Sequence, residues 1–166
     1  MDARLSRAIA ARGFELTTPI QSATFPLVLA GSDVIACAQT GTGKTAAFLI
    51  PILQRLLMSG PRVVDRQTST RVLVLAPTRE LAVQIDSDVD GFAYDTGLSS
   101  VAVYGGVGAA TQSQALRAPA DLVVATPGRL LDHLRAGAAR FDGLEVLVLD
   151  EADRMLDMGF WPDVRR

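Results

Sequence analysis

Residues 38–45 read AQTGTGKT, that is Ala38, Gln39, Thr40, Gly41, Thr42, Gly43, Lys44 and Thr45. The stretch follows the apolar run DVIACA at 33–38 and opens a helical pattern at 46–58. A glycine-rich turn between a strand and a helix lets backbone N–H groups close around an anion, and the helix adds the positive end of its dipole. Gly41 and Gly43 permit close backbone approach, Lys44 is placed to reach terminal phosphates, and the Thr45 hydroxyl to ligate Mg²⁺. The usual pattern has glycine where Ala38 stands. Of the 16 basic residues, Lys44 is the only lysine. A compact ammonium and a forked guanidinium are not interchangeable in a tight phosphate cradle, so composition singles out this position too.

Outward from this loop, short and almost wholly apolar runs alternate with helical stretches. The runs lie at 33–38, 71–76, 101–104, 122–125 and 146–149. They suit parallel strands buried on both faces. Helical patterns fall at 4–11, 21–29, 46–58, 79–92, 108–117 and 129–136, and residues 59–70 (SGPRVVDRQTST) read as a solvent loop. The alternation predicts an α/β fold, a doubly wound parallel sheet flanked by helices, with ligands at the carboxyl ends of the strands.

The chain has 166 residues, 49% hydrophobic and 20% charged, which excludes a disordered, collagen-like or disulfide-knotted chain. Its net charge of −2 supplies no global basic field, so any nucleic acid must be held by local groups on one face. Cys37 is the only cysteine. It can form no internal disulfide, its apolar surroundings predict a packing role, and the usage fits a reducing cytoplasm. The longest apolar candidate for a membrane span, 46–57, is broken by Pro51, Gln54 and Arg55, and the N-terminus shows no apolar signal core.

The run at 146–149 leads directly into Asp150, Glu151, Ala152 and Asp153. Adjacent carboxylates at the end of a buried strand, expected on the same rim as the phosphate loop, can divide two tasks. Asp150 is assigned to the metal and Glu151 to the attacking water. Acidic decoration of a helix N-terminus is the plainer alternative.

Taken together, these residues resemble the N-terminal RecA-like domain of DEAD-box ATP-dependent RNA helicases, bacterial members included. GFELTTPIQ at 13–21 is similar to the Q motif, AQTGTGKT to motif I and PTRELA at 77–82 to motif Ia. Gly105 and Gly106 match the glycine doublet, TPGR at 126–129 motif Ib, DEAD at 150–153 motif II, and MLDMGF at 155–160 follows the family as well. The resemblance implies ATP and Mg²⁺ as cofactors. It implies an adenine-selecting Gln21, whose amide offers the donor and acceptor that suit adenine N6 and N7, and a stacking Phe14. It implies an RNA-backbone face made of Pro77, Thr78, Arg79, Gly105, Gly106, Thr126, Pro127, Gly128 and Arg129. Contacts to sugar and phosphate carry no sequence preference. Simple helix capping by Thr78 and Thr126 is the alternative. The family usually has proline where Thr17 stands.

The family also carries a Ser-Ala-Thr motif after motif II and then a second RecA-like domain, neither of which this sequence contains. The expected reading is therefore one domain over 1–166, incomplete at its C-terminus and lacking a central strand. The resemblance implies nucleotide binding with little turnover by this chain, and coupling of ATP hydrolysis to duplex remodelling in the full-length parent. A non-catalytic nucleotide-binding or RNA-docking scaffold is the second reading. His133, between Asp132 and Leu134, is expected on a solvent-facing helix surface. Tyr94 and Tyr104 are expected to pack, and Phe160 and Trp161 to cap a helix or fill a core edge.

Overall fold

The computed structural model describes residues 1–60, 63–64, 67–68, 70–118 and 120–165. It resolves into two compact units, one of residues 1–61 and 88–98, the other of 62–87 and 99–166. Each is described by itself.

The first unit holds helices α1 (Ala3–Ala11), α2 (Pro19–Leu29) and α3 (Lys44–Ser59). Asp2 caps α1, its Oδ1 accepting from the Arg4 N–H at 2.9 Å. The Arg4 guanidinium hydrogen-bonds the same carboxylate and holds its pKa down to about 2. Proline at the first position and threonine before it start α2 where φ is already helical. α3 packs on α2 and α1, burying Leu49, Ile52, Leu53 and Leu56. This apolar face anchors the helix whose first residue is Lys44.

The second unit is built on a four-stranded parallel sheet. Its chain contains a two-residue hairpin, β1 (Val63–Val64) and β2 (Gln67–Thr68), then β3 (Val72–Leu75), β4 (Ser100–Val103), β5 (Leu122–Ala125) and β6 (Val146–Leu149). The sheet order is β4-β5-β3-β6. Val72 sits opposite both Leu122 and Val146, and Leu75 opposite both Ala125 and Leu149, so the strands end level. α4 (Arg79–Ala93) divides between the units at residues 87 and 88. α5 (Ala109–Arg117), α6 (Pro127–Arg135), α7 (Ala152–Asp157) and α8 (Trp161–Val164) complete the second unit. Leu73, Leu75, Val123, Ala125 and Val103 line one face of the sheet and pack with Leu130, Ala139 and Met155.

At the entry to the sheet, Arg71 is buried and pairs with Glu145 through two hydrogen bonds of 2.9 Å, Nε to Oε1 and Nη2 to Oε2. The Arg71 carbonyl accepts from the N–H groups of Glu145 and Val146. The pair thus lies where β3 and β6 begin and fixes their register.

The expected parallel α/β sheet is present, with four corrections. Residues 33–38 form no strand among the described residues, and Ile35 is 97% exposed. An apolar run becomes a strand only when a neighbour satisfies its backbone, and none is supplied. Cys37, on the same segment, is exposed rather than packed. β6, expected to be buried on both faces, pairs with β3 alone among the described strands and leaves Leu147 53% exposed. Of the loop expected over 59–70, residues 61, 62, 65, 66 and 69 lie outside the described residues. The rest includes an antiparallel pairing of Val63 with Thr68 and Val64 with Gln67.

Replacing Glu145 with alanine removes both of these hydrogen bonds from the buried guanidinium, and bonds to charged groups contribute about 1.5–3 kcal/mol each. The expected outcome is a lowered urea midpoint for Glu145→Ala, with Arg71→Met, which removes the charge itself, losing less.

Candidate nucleotide and nucleic-acid sites

The first unit brings together the phosphate loop and the stretch around Gln21. Gly41 and Gly43 both take left-handed backbone, with φ of +82° and +85°. A β-carbon on Gly43 would also meet Gln21 Nε2 at 2.5 Å, so glycine is required there twice over. Gly43 is the N-cap of α3 and has no side chain to occupy the first N–H groups, leaving them for an anion. Lys44 is half-buried, and its ammonium donates to the Ala38 carbonyl at 2.7 Å. Thr42 Oγ1 donates to the Gln39 carbonyl at 2.7 Å and tightens the turn. Thr40 stands exposed in the turn, and Thr45 is the second residue of α3.

Gln21 is 2% exposed. Its Oε1 accepts from the Thr18 N–H at 3.0 Å, and its Nε2 donates to the Gly43 carbonyl at 3.2 Å. The amide therefore links the start of α2 to the phosphate loop, and an oxygen lone pair and one N–H are left for another partner. Thr18 Oγ1 is buried without a hydrogen-bond partner among the described residues. Phe14 meets Phe92 edge to face, ring centroids 5.4 Å apart. Arg12 lies over the Phe92 ring at 4.6 Å and pairs with Asp88.

The second unit brings together every residue expected to face RNA, at the carboxyl ends of β3, β4 and β5. Ladder bonds align these ends, from Ala76 N to Ala125 O and from Thr126 N to Val103 O, each 2.9 Å. Pro77 is buried behind Thr78, whose Oγ1 accepts from the Leu81 N–H at 3.3 Å and caps α4. Arg79 lies over the Tyr104 ring at 5.2 Å. A β-carbon on Gly106, which has φ of +84°, would stand 3.0 Å from Arg79 Nη1. Gly105 faces open space. Thr126 is the N-cap of α6, with Pro127 buried at its first position and Gly128 open to solvent on its β-carbon side. Arg129 donates from Nη2 to the Val107 carbonyl at 2.5 Å and from Nε to Gln112 Oε1 at 3.1 Å.

The same unit carries Asp150 and Glu151 at the end of β6. The Asp150 N–H donates to the Leu75 carbonyl at 2.9 Å, and its Oδ1 accepts from the Glu151 N–H at 3.0 Å. Glu151 is the only described non-glycine residue with positive φ (+49°), at a cost of about 1–2 kcal/mol. Its carboxylate receives Arg154 Nη1 at 3.1 Å.

Two side chains, Tyr94 and His133, sit otherwise than expected, while Tyr104 packs as expected. Tyr94, expected to pack, is 86% exposed just beyond the end of α4. Tyr104 is half-buried under Arg79. His133 is not on the solvent face but 2% exposed, because the helical period aligns it with Pro127 and Leu130, the other buried residues of α6. Phe160 does fill the core edge, while Trp161 begins α8 half in solvent. Gln112, which the motifs did not single out, is buried on α5 and bonds Arg129 and His133 of α6 and the Tyr104 carbonyl.

A family model described as DEAD/DEAH box helicase matches residues 18–166. The chain belongs to this family. The family's helicase relatives include DEAD-box ATP-dependent RNA helicase 52A of Oryza sativa subsp. japonica, 46% identical over 96% of this chain and 28% of that protein. ATP-dependent RNA helicase RhlB of Xanthomonas axonopodis pv. citri is 48% identical over 92% of the chain and 27% of that protein. A crystal structure of a hypothetical ATP-dependent RNA helicase from Sulfolobus tokodaii superposes with a TM-score of 0.86 at 39% identity, over 99% of this chain and 46% of the other. The chain spans between 20% and 30% of the length of such curated relatives. No described helix of this helicase-family chain is long and apolar enough to cross a membrane.

Burial first, and the Arg129 charge second, lower the pKa of His133 below its usual 6.5, with Asp132 opposing. The unfolded chain then binds more protons here than the folded one, so stability should be full above about pH 6.5 and decline as pH falls towards 5. His133 is the only histidine. Urea midpoints measured from pH 7.5 to 5 should show this slope, and His133→Gln should flatten it.

Proposed function

We propose that the chain is the ATP-binding core of an ATP-dependent RNA helicase. In the full-length protein it would bind RNA along its sugar–phosphate backbone and couple ATP hydrolysis to local remodelling of RNA duplexes, working with a second RecA-like domain. The observation that carries this reading is the phosphate loop: two left-handed glycines, an α3 N-terminus without a side-chain cap, and Lys44 bent over the turn with one of its three N–H donors committed.

ATP supplies the phosphoanhydride bond and Mg²⁺ neutralises the charge on its phosphates. In this chain, backbone N–H groups of 41–45 bind the phosphates and Lys44 orients the terminal one. Ala38, Gln39, Thr40 and Thr42 shape the turn. Gln21 selects adenine with its remaining donor and acceptor, and Phe14 flanks the base. Thr45 and Asp150 are assigned to Mg²⁺. A single carboxylate suits that ion, which commonly uses one or two protein carboxylates together with substrate phosphates. Glu151 orients the attacking water, and its strained backbone supports a functional reason for its placement. Pro77, Thr78, Arg79, Gly105, Gly106, Thr126, Pro127, Gly128 and Arg129 hold RNA phosphates and riboses, without reading bases.

We read residues 1–166 as one RecA-like domain whose C-terminal part lies beyond this sequence. The second domain would supply an arginine finger, worth about 10³–10⁵ in rate, so this chain alone should turn over ATP near background. We also assign the protein to the cytoplasm, whose reducing conditions suit an exposed lone thiol.

Titration calorimetry with ADP should give measurable binding to the wild-type chain and none to Lys44→Ala; equal affinities would remove the nucleotide reading. In the full-length protein, Glu151→Gln should abolish RNA-stimulated ATP hydrolysis while nucleotide binding persists. Hydrolysis at wild-type rate in that variant would overturn the assignment of Glu151 to the attacking water, and no RNA-stimulated hydrolysis by the full-length wild type would favour the scaffold reading.

A further inference from the structure

Beside the residues just assigned, the second unit contains a buried polar network that stands directly behind the proposed RNA face. Its centre is Gln112 on α5, 7% exposed. The orientation of its amide is forced. Arginine can only donate and a backbone carbonyl can only accept, so Oε1 faces Arg129 Nε (3.1 Å) and Nε2 faces the Tyr104 carbonyl (3.0 Å). The second lone pair of Oε1 faces His133 Nε2 at 3.2 Å, and Ser113 Oγ lies 3.1 Å from His133 Nδ1. One consistent set of protons satisfies all of these atoms: neutral His133 protonated on Nε2, with the Ser113 hydroxyl donating to Nδ1.

These bonds hold the glycine doublet from both sides. Gln112 takes the carbonyl of Tyr104, just before Gly105, and Arg129 takes the carbonyl of Val107, just after Gly106. Arg129 is in turn oriented by Gln112. A loop with two adjacent glycines is among the most costly segments to order, and each glycine fixed this way gives up a large share of its conformational freedom before any ligand arrives. A buried amide with both ends engaged is also expensive to disturb, since each orphaned partner bears its own desolvation cost.

We propose that Gln112 is a positioning residue for RNA. It acts through Arg129 and the Tyr104 carbonyl to hold the Gly105–Gly106 loop and the start of α6 as one preformed phosphate-binding surface. His133 and Ser113 complete the network from behind. The inference deepens the RNA-backbone reading and rests on it.

The test is fluorescence anisotropy of a labelled single-stranded oligouridine titrated with the full chain at low salt, using wild type, Gln112→Ala, Arg129→Ala and the double variant. Loss of one positioned phosphate contact corresponds to about tenfold in affinity. Each single variant should lose about that much, and the double less than the product of the two losses, because Gln112 works in part through Arg129. A purely structural role for Gln112 would give losses that multiply. Wild-type affinity in Gln112→Ala, or multiplicative losses, would overturn the proposal with the RNA reading intact. Failure of the wild-type chain to bind the oligonucleotide would overturn the RNA reading and this proposal with it. Arg129→Lys gives a second route if Gln112→Ala does not fold. It keeps the charge and the buried amide but loses the fork, and should bind as weakly as Arg129→Ala; wild-type affinity would show that charge alone suffices.

Discussion

The second unit depends on the level ending of four parallel strands. β3 is paired on both sides in the same register, and the bonds that close the ladders run from Asp150 N to Leu75 O, from Ala76 N to Ala125 O and from Thr126 N to Val103 O. The segments that leave these strands therefore emerge side by side, although neighbouring ends are separated by about 20 to 75 residues of chain. Backbone geometry alone assembles the loops, and side chains such as Arg79 over Tyr104 then refine them. The bond of buried Arg71 to Glu145 protects the same register from the opposite end, where a slip of one residue would turn every apolar side chain of β6 to the wrong face.

The two units solve a common problem by different means. On the proposed reading both would present backbone to a polyanion, and both have glycine at positive φ there, Gly41 and Gly43 in one and Gly106 in the other. In the phosphate loop the fixed frame is an apolar helix, α3, whose buried face sets where Lys44 stands. In the doublet loop the frame is polar, a buried amide and an arginine that grip the flanking carbonyls. An apolar anchor suits a loop continuous with its helix. A polar anchor suits a loop between a strand and a helix, where the carbonyls themselves must be satisfied.

Much of this was legible in the sequence. Continuous apolar runs gave β3, β5 and β6 within a residue, whereas the helical patterns at 21–29 and 129–136 missed that α2 and α6 open at Pro19 and Pro127. The motifs gave the family. What was not legible was non-local. The run at 33–38 has the composition of a buried strand, but composition does not say whether a ladder partner exists, and without one Ile35 and Cys37 face solvent. His133 was misplaced because Asp132 and Arg135 stand close to it on the same helix. Counting by helical period would have aligned it with Leu130 and Pro127. Gln112 carries a similar signal, four residues before Leu116, which packs on the core. A polar residue at an apolar helical position marks a buried network, not a surface.

The single lysine ties composition to geometry. Lys44 reaches back across its own loop to the Ala38 carbonyl at 2.7 Å, and Gln21 Nε2 packs close against Gly43. An ammonium is a compact donor that satisfies that carbonyl with one proton and keeps two for an incoming oxygen. A guanidinium spreads its donors over a plane, and in a turn this narrow it could meet the carbonyl or the anion but not both. Elsewhere in the chain arginine performs the long-range work, bridging Val107 to Gln112 or Asp2 to Thr96, where a broad fork spanning two acceptors is the advantage. The same sequence thus distributes its cations by the shape of what each must hold, and the one position that accepts a point charge is the one where a terminal phosphate would sit.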